Sequence, residues 1–262
     1  MKNTACFIIC CFFLLSAAQS FAAPPSVPAA KTNIPVVKVP RKLPDKLLWD
    51  SWYTITLNKT VHYSYFNERF ELKDGNLFYQ SKSWKQEEGY INEEQIGALS
   101  EYRLDLIPLF FNFHSTYRST ETTIDGNIKD GKILTVKIRK GNTDLPVIKR
   151  NTPGKAILSV FFPIWIGHRL AKMKQTQTLS FMTILEDNIE ANFDTVHGQV
   201  RLDASDDIAM KTKTSKLSVN YRDLRSTWYV ERNGSPVRIE IPGQKTLIER
   251  TTKEIAQKFL EE

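Results

Sequence analysis

A mainly β fold is what this sequence predicts: a single curved antiparallel sheet, a meander open to partial closure into a barrel, with a few short helices including one at the C-terminus. Three observations carry that prediction. Short runs rich in aromatic and β-branched residues recur along the chain, turn dipeptides built on glycine separate them, and such runs do not alternate with long amphipathic helices. Strands joined in sequence by short polar turns form a meander, because antiparallel neighbours need only a hairpin whereas parallel ones need a long crossover.

The N-terminal segment is set apart. Lys2 precedes an apolar run over 5–15, and Ser20-Phe21-Ala22 supplies a small-residue cleavage site, which together predict an export signal at 1–22. The apolar run is shorter than the ~20 residues a bilayer span needs. All three cysteines, Cys6, Cys10 and Cys11, lie inside it, so the exported form is expected to hold no thiol, no disulfide and no cysteine metal site. Residues 23–46 read as a Pro-rich linker, with Pro24, Pro25, Pro28, Pro35, Pro40 and Pro44 preventing a helix or a sheet ladder. One β-rich domain is then expected over 47–262.

Within that domain, candidate strands cover 52–57, 61–72 and 77–84, the last two joined by a hairpin at Asp74-Gly75. In 61–72, Phe66, Phe70 and Leu72 share one face and Glu68 is the exception among them. Further candidates are 115–124, 133–139, 178–186, 189–193, 216–221, 224–231 and 237–241. Turns are expected at Asp125-Gly126, Asp130-Gly131, Lys140-Gly141, His197-Gly198 and Asn233-Gly234.

Helices serve as punctuation. Asn92 followed by Gln95 predicts a capped helix over 93–102, and Thr251 followed by Glu254 predicts another over the last twelve residues, with Ile255 and Phe259 on its docking face. The apolar segment 156–170 fits either a helix broken at Pro163 or a buried loop.

The net charge is +7, or +6 once Lys2 leaves with the signal, without the basic cluster of a nucleic-acid binder. Anionic lipid headgroups, envelope polymers or acidic proteins are the partners such an excess would suit, and solubility alone would also explain it. No cofactor or metal is expected: His62, His114, His168 and His197 are scattered singly, and no Gly-x-Ser-x-Gly elbow is present. Gly126 to Ile133 follows a phosphate-loop spacing but ends on Ile133 where a Ser or Thr must hold magnesium, so a hairpin is predicted there. Glu87-Glu88 and Glu93-Glu94 are carboxylate pairs that a helix start would equally favour.

What remains is bulky apolar surface. Leu109 to Phe113 and Val160 to Ile166 are richer than one sheet face requires, and Phe110, Phe111, Phe113, Phe161, Phe162 and Trp165 are candidate liners of a concave ligand face, or members of an ordinary core. Lys211, Lys213 and Lys216, read as a basic strand, are candidate anionic contacts, or edge lysines that discourage aggregation.

Residues 227–243, from Thr227-Trp228-Tyr229 through Asn233-Gly234-Ser235-Pro236 to Pro242-Gly243, followed by 248–254, resemble the end of the non-catalytic β region of exported bacterial proteins that carry a transglutaminase-like domain. Asp105 to Pro108 and the stretch 153–170 resemble the same group, including the DUF3108 type, and the layout is distantly similar to the LolA-like carriers. The Cys, His and Asp of a transglutaminase-like domain have no counterpart after this region, so the resemblance implies a recognition or scaffold region and carries over no catalytic residue. The expected function is a non-enzymatic, periplasmic or extracellular envelope protein binding a hydrophobic or lipidic ligand on its curved sheet. The alternative is a protein-interaction or scaffold domain.

Overall fold

The computed structural model describes residues 44–260 apart from 88, 191 and 222–223. The predicted signal at 1–22 and most of the predicted linker lie outside the described residues.

Seven long strands follow one another: β1 (Lys46–Leu57), β2 (Val61–Lys73), β3 (Asn76–Glu87), β4 (Tyr90–Glu101), β5 (Ile107–Tyr117), β6 (Thr120–Lys129) and β7 (Ile133–Lys140). Short β8 (Thr143–Asp144) and β9 (Ile148–Asn151) both pair with β7. After β10 (Ile157–Leu158), a 3-10 turn at Ser159–Phe161 leads into helix α1 (Phe162–Leu170). The chain then lays down β11 (Thr178–Ile184), β12 (Val196–Leu202), helix α2 (Asp207–Thr212), β13 (Ser215–Tyr221), β14 (Leu224–Val230), β15 (Pro236–Ile241), β16 (Thr246–Thr251) and helix α3 (Lys253–Lys258).

All the strands belong to one sheet that does not close, ordered β10 to β16 and then β1 to β8, with β9 beside β7. Every pairing is antiparallel except the short β10–β11 ladder. The two halves of the meander join where β16 pairs with β1, from Trp52 opposite Thr251 to Leu57 opposite Thr246. Asp74-Gly75 forms the predicted two-residue hairpin turn, both residues at positive φ as such a turn between right-twisted strands requires, and Asp130-Gly131, also both at positive φ, lie in the three-residue turn between β6 and β7.

The curvature is visible in what α1 touches. Phe161 lies 6.4 Å from Tyr79 on β3, while the adjacent Phe162 lies 4.6 Å from Phe181 on β11. Those strands stand eight places apart, roughly 38 Å in a flat sheet at ~4.8 Å per strand. The sheet therefore wraps around α1. Its inward residues and the 156–170 segment form one continuous hydrophobic core.

Several expectations are corrected. Residues 93–101 belong to strand β4, not to a helix, and Tyr102 follows its end: Asn92 is buried instead of capping, and Ile96, Ala98 and Ser100 alternate inward between two long neighbours. Glu, Gln, Ala and Leu favour a helix locally, but pairing on both sides overrides that preference. The candidate strand 115–124 is the β5–β6 hairpin, turning at Arg118-Ser119, and in the candidate strand 189–193 the described residues 189, 190, 192 and 193 lie in turns. Asp125-Gly126 and His197-Gly198 sit inside β6 and β12, where each glycine accommodates an aromatic ring. A Cβ on Gly126 would lie 2.1 Å from the Phe111 ring, and one on Gly198 would lie 2.3 Å from that of Phe181, each phenylalanine being the direct cross-strand partner. The segment 156–170 is neither a broken helix nor a loop. Pro163 lies in the first turn of α1, where its missing N–H costs no hydrogen bond. The cap of α3 is Thr252, one residue after the predicted position, and the helix docks by Ala256 and Phe259 while Ile255 faces solvent.

Candidate functional site

The inner side of the sheet carries core residues from β1 to β7 and from β11 to β16 and is filled by the chain itself. Of the six candidate ligand liners, Phe111 and Phe113 point inward from β5, and Phe161, Phe162 and Trp165 come from the 3-10 turn and α1; these five are buried in one core. Phe162 packs on Phe181 and edge-on against Trp228 at 5.2 Å, and Trp165 also meets Phe181. Phe110 is separate. It lies on the outer face of the sheet, 36% exposed, in a cross-strand row with Phe78 and Leu99.

The filling segment is docked by backbone contact. A Cβ on Gly167 would lie 2.0 Å from the Asn233 carbonyl oxygen, and one on Gly234, whose φ is +93°, would lie 1.8 Å from that of Pro163. Two glycines thus let α1 press its main chain against the β14–β15 turn. On the other side Arg169 donates to the Leu104 carbonyl and to Asp105, and its guanidinium covers the Trp165 ring at 4.1 Å. His168 Nε2 and the Tyr102 hydroxyl are 3.1 Å apart.

Two fully buried carboxyl groups anchor this interior. Glu186, just after β11, accepts a 2.5 Å bond from Ser159 Oγ and a 3.3 Å bond from the Val160 N–H, tying the start of the filling segment to the sheet. Burial pushes its carboxyl up to about 8 despite those two donors. Glu68, on the inner face of β2, accepts from Trp49 Nε1 at 3.1 Å, and its Oε1 lies 2.9 Å from the Tyr53 hydroxyl. That hydroxyl is also 3.1 Å from the Pro236 carbonyl oxygen. The Tyr53 hydroxyl thus shares its one proton between two acceptors, the Glu68 carboxyl and the Pro236 carbonyl oxygen. Burial raises Glu68 to about 7, opposed by Tyr53, Trp49 and the Arg250 charge. Arg250 itself bonds Glu231 at 2.6 Å and Ser235 at 3.4 Å.

Glu68 was legible in the sequence as a carboxylate among apolar neighbours on one strand face. Glu186 had no such signal, because its strand ends two residues earlier.

The three candidate lysines do not form a strand. Asp206 caps α2, accepting from the Ala209 N–H, so Lys211 falls in the last helical turn and Lys213 takes the left-handed conformation that ends it. Both are exposed, whereas Lys216, on β13, is paired with Asp206 at 2.8 Å. That bond, with the Ala209 N–H and Tyr229 hydroxyl donors, holds the Asp206 carboxyl down at about 2.

The Gly126 to Ile133 stretch is a β6–β7 hairpin. Among the described residues no three His, Asp or Glu side chains converge as metal ligands. Two open clefts lie outside the core: one of 860 Å³ between the β1–β2 and β15–β16 turns, bordered by Lys59, Arg238 and Lys245, and one of 420 Å³ over β6 and β7 beside Asp144. Neither includes a candidate liner. No helix among the described residues is long and apolar enough to cross a membrane.

No protein-family model matches the chain, and no curated protein matches it. Among solved structures, a β-barrel-like protein of the domain of unknown function DUF1849 from Brucella abortus is similar, with a TM-score of 0.50 at 12% identity, over 80% of this chain and 96% of that one. A DUF1089 family protein from Pseudomonas aeruginosa aligns at a TM-score of 0.42 and 15% identity over 71% of this chain and 92% of that one. The first likeness is one of fold: this chain is similar to a β-barrel-like domain.

Proposed function

We propose that this protein is a non-catalytic, exported scaffold of the cell envelope that acts through the outside of its sheet, and not a carrier of lipid on the inside. The observation that supports this reading is the occupancy of the concave face. The segment 159–170 brings Phe161, Phe162, Trp165 and Ile166 into that space, and five of the six candidate liners are spent on packing against one another and the sheet. A hydrophobic ligand there would first have to displace α1, breaking the Glu186 anchor and the Gly167 and Gly234 contacts. On the outside, Phe78 and Phe110 with Leu99 between them offer a protein partner a short apolar strip. The resemblance to accessory regions of transglutaminase-like proteins points the same way.

The test is native mass spectrometry of the chain purified gently from an envelope fraction, alongside photo-crosslinking from position 110. The scaffold reading expects the bare protein mass, even with added phospholipid, and a discrete crosslinked species. A lipid-sized adduct would contradict it and restore the hydrophobic-ligand reading.

A further inference from the structure

The solvent side of an antiparallel sheet is normally polar, since the residues that alternate outward meet water. On β1–β3 it carries three large aromatic rings. Register places Tyr65 directly opposite Trp84, and Trp52 one row away on β1. Tyr65 and Trp84 have ring centres 4.9 Å apart and planes 21° apart; Trp52 and Trp84 are 6.1 Å and 8° apart, and Trp52 and Tyr65 6.4 Å and 28° apart. The rings are close to parallel, contiguous and all part-exposed. Lys82 Nζ lies 5.0 Å from the Trp84 ring, and Lys253 Nζ, on α3, lies 5.8 Å from that of Trp52.

The rim of this patch is polar and held in place. Asn67 donates to Asp50 Oδ1 at 2.7 Å, Arg69 bonds both Asp50 and Glu71, and Lys82 pairs with Glu93 at 2.7 Å, where Gln95 also donates. Arg69 and Lys82 are each paired with a carboxylate, and with Lys253 the three cations around the patch are balanced by Asp50, Glu71 and Glu93. A phosphate-bearing ligand or an anionic membrane would call for an excess of positive charge, which this rim does not supply. Flat apolar rings bordered by fixed, charge-balanced donors and acceptors suit a ligand with apolar C–H faces and neutral hydroxyl edges. Pyranose sugars have that composition. The three ring centres lie within 6.4 Å of one another, a compact patch that matches one sugar of a chain.

We propose that the outer face of β1–β4 around Trp52, Tyr65 and Trp84 is a binding site for an uncharged pyranose chain. The exposed part of the ring cluster packs on the apolar face of one sugar of the chain, and Asp50, Asn67, Lys82 and Glu93 bond its hydroxyl groups. This stands on the outer face alone and does not depend on the scaffold reading. Isothermal titration calorimetry of the full chain with cellohexaose and with chitohexaose, followed in parallel by tryptophan fluorescence, tests it. Saturable binding to either sugar is expected, weakened at least tenfold by Trp84→Ala and by Trp52→Ala and less by Trp84→Phe, which keeps a ring. Met210→Ser, at an exposed position on α2, is the control and is expected to bind as the parent does. A folded protein that binds neither sugar at millimolar concentration overturns the proposal. So does binding that survives Trp84→Ala in a variant with parental melting temperature. Binding instead to phosphatidylglycerol-containing vesicles, lost on Trp84→Ala, would overturn it in favour of a membrane surface.

Discussion

At the scale of single residues, the two buried carboxyls make stability depend on pH in an unusual direction. Glu68 and Glu186 titrate near 7 and 8 in the folded protein, above the ordinary glutamate value, because burial disfavours the charged form. Between about 4.5 and those values the folded chain keeps protons that the unfolded chain has released. Their contribution is thus complete below about pH 4.5 and is lost as the pH rises through 7 and 8, by up to roughly 1.4 kcal/mol per pH unit for each group. Thermal denaturation from pH 5 to 8.5 is expected to show a falling melting temperature, with a flatter profile in Glu68→Gln and Glu186→Gln. An unchanged slope in the double variant would contradict this. The strand glycines make a second residue-scale prediction. Gly126→Ala and Gly198→Ala force Phe111 or Phe181 out of its seat, and each should cost about 1–3 kcal/mol in urea denaturation. Glu68 stood out in the sequence because it breaks an apolar alternation. The two glycines were hidden, since Asp-Gly and His-Gly have the same local composition in a turn as in a strand, and only the ring across the sheet distinguishes them.

At the scale of elements, most strands were readable because aromatic and β-branched runs announce them, as in β2, β3, β7 and β14. β4 was not, since its residues are good helix formers and become a strand only through their neighbours. The β5–β6 hairpin was equally hidden. It turns on Arg118-Ser119, both at positive φ, with none of the glycine or asparagine that normally marks such a turn. Ser119→Gly should relieve that strain and raise stability by about 0.5–1 kcal/mol, measured by chemical denaturation. Helix α1 depends on a backbone contact that leaves no room for a side chain. Gly167→Val is expected to undock it, exposing Trp165 and Phe162 and shifting tryptophan emission to the red while the far-ultraviolet signal of the strands persists.

At the scale of the whole molecule, the class of fold was legible and the joining of its two halves was not. Turn spacing predicts a meander, but nothing local says that β16 returns to pair with β1 or that a later segment fills the concavity made by earlier strands. Both are contacts between residues far apart in the chain. The same non-locality separates the candidate site residues: the phenylalanines of 109–113 divide between two faces, and those of 160–166 become interior filling.

Hydrogen exchange across 159–170 tests most directly the claim that this segment belongs to the core and leaves no room for cargo. Amides of α1 should be protected to the level of the central strands β1 and β2 and should lose protection only with global unfolding. Fast exchange in α1 while those strands remain protected would mean that the segment opens by itself. The inside of the sheet, and not its outer face, would then be the place to look for a ligand.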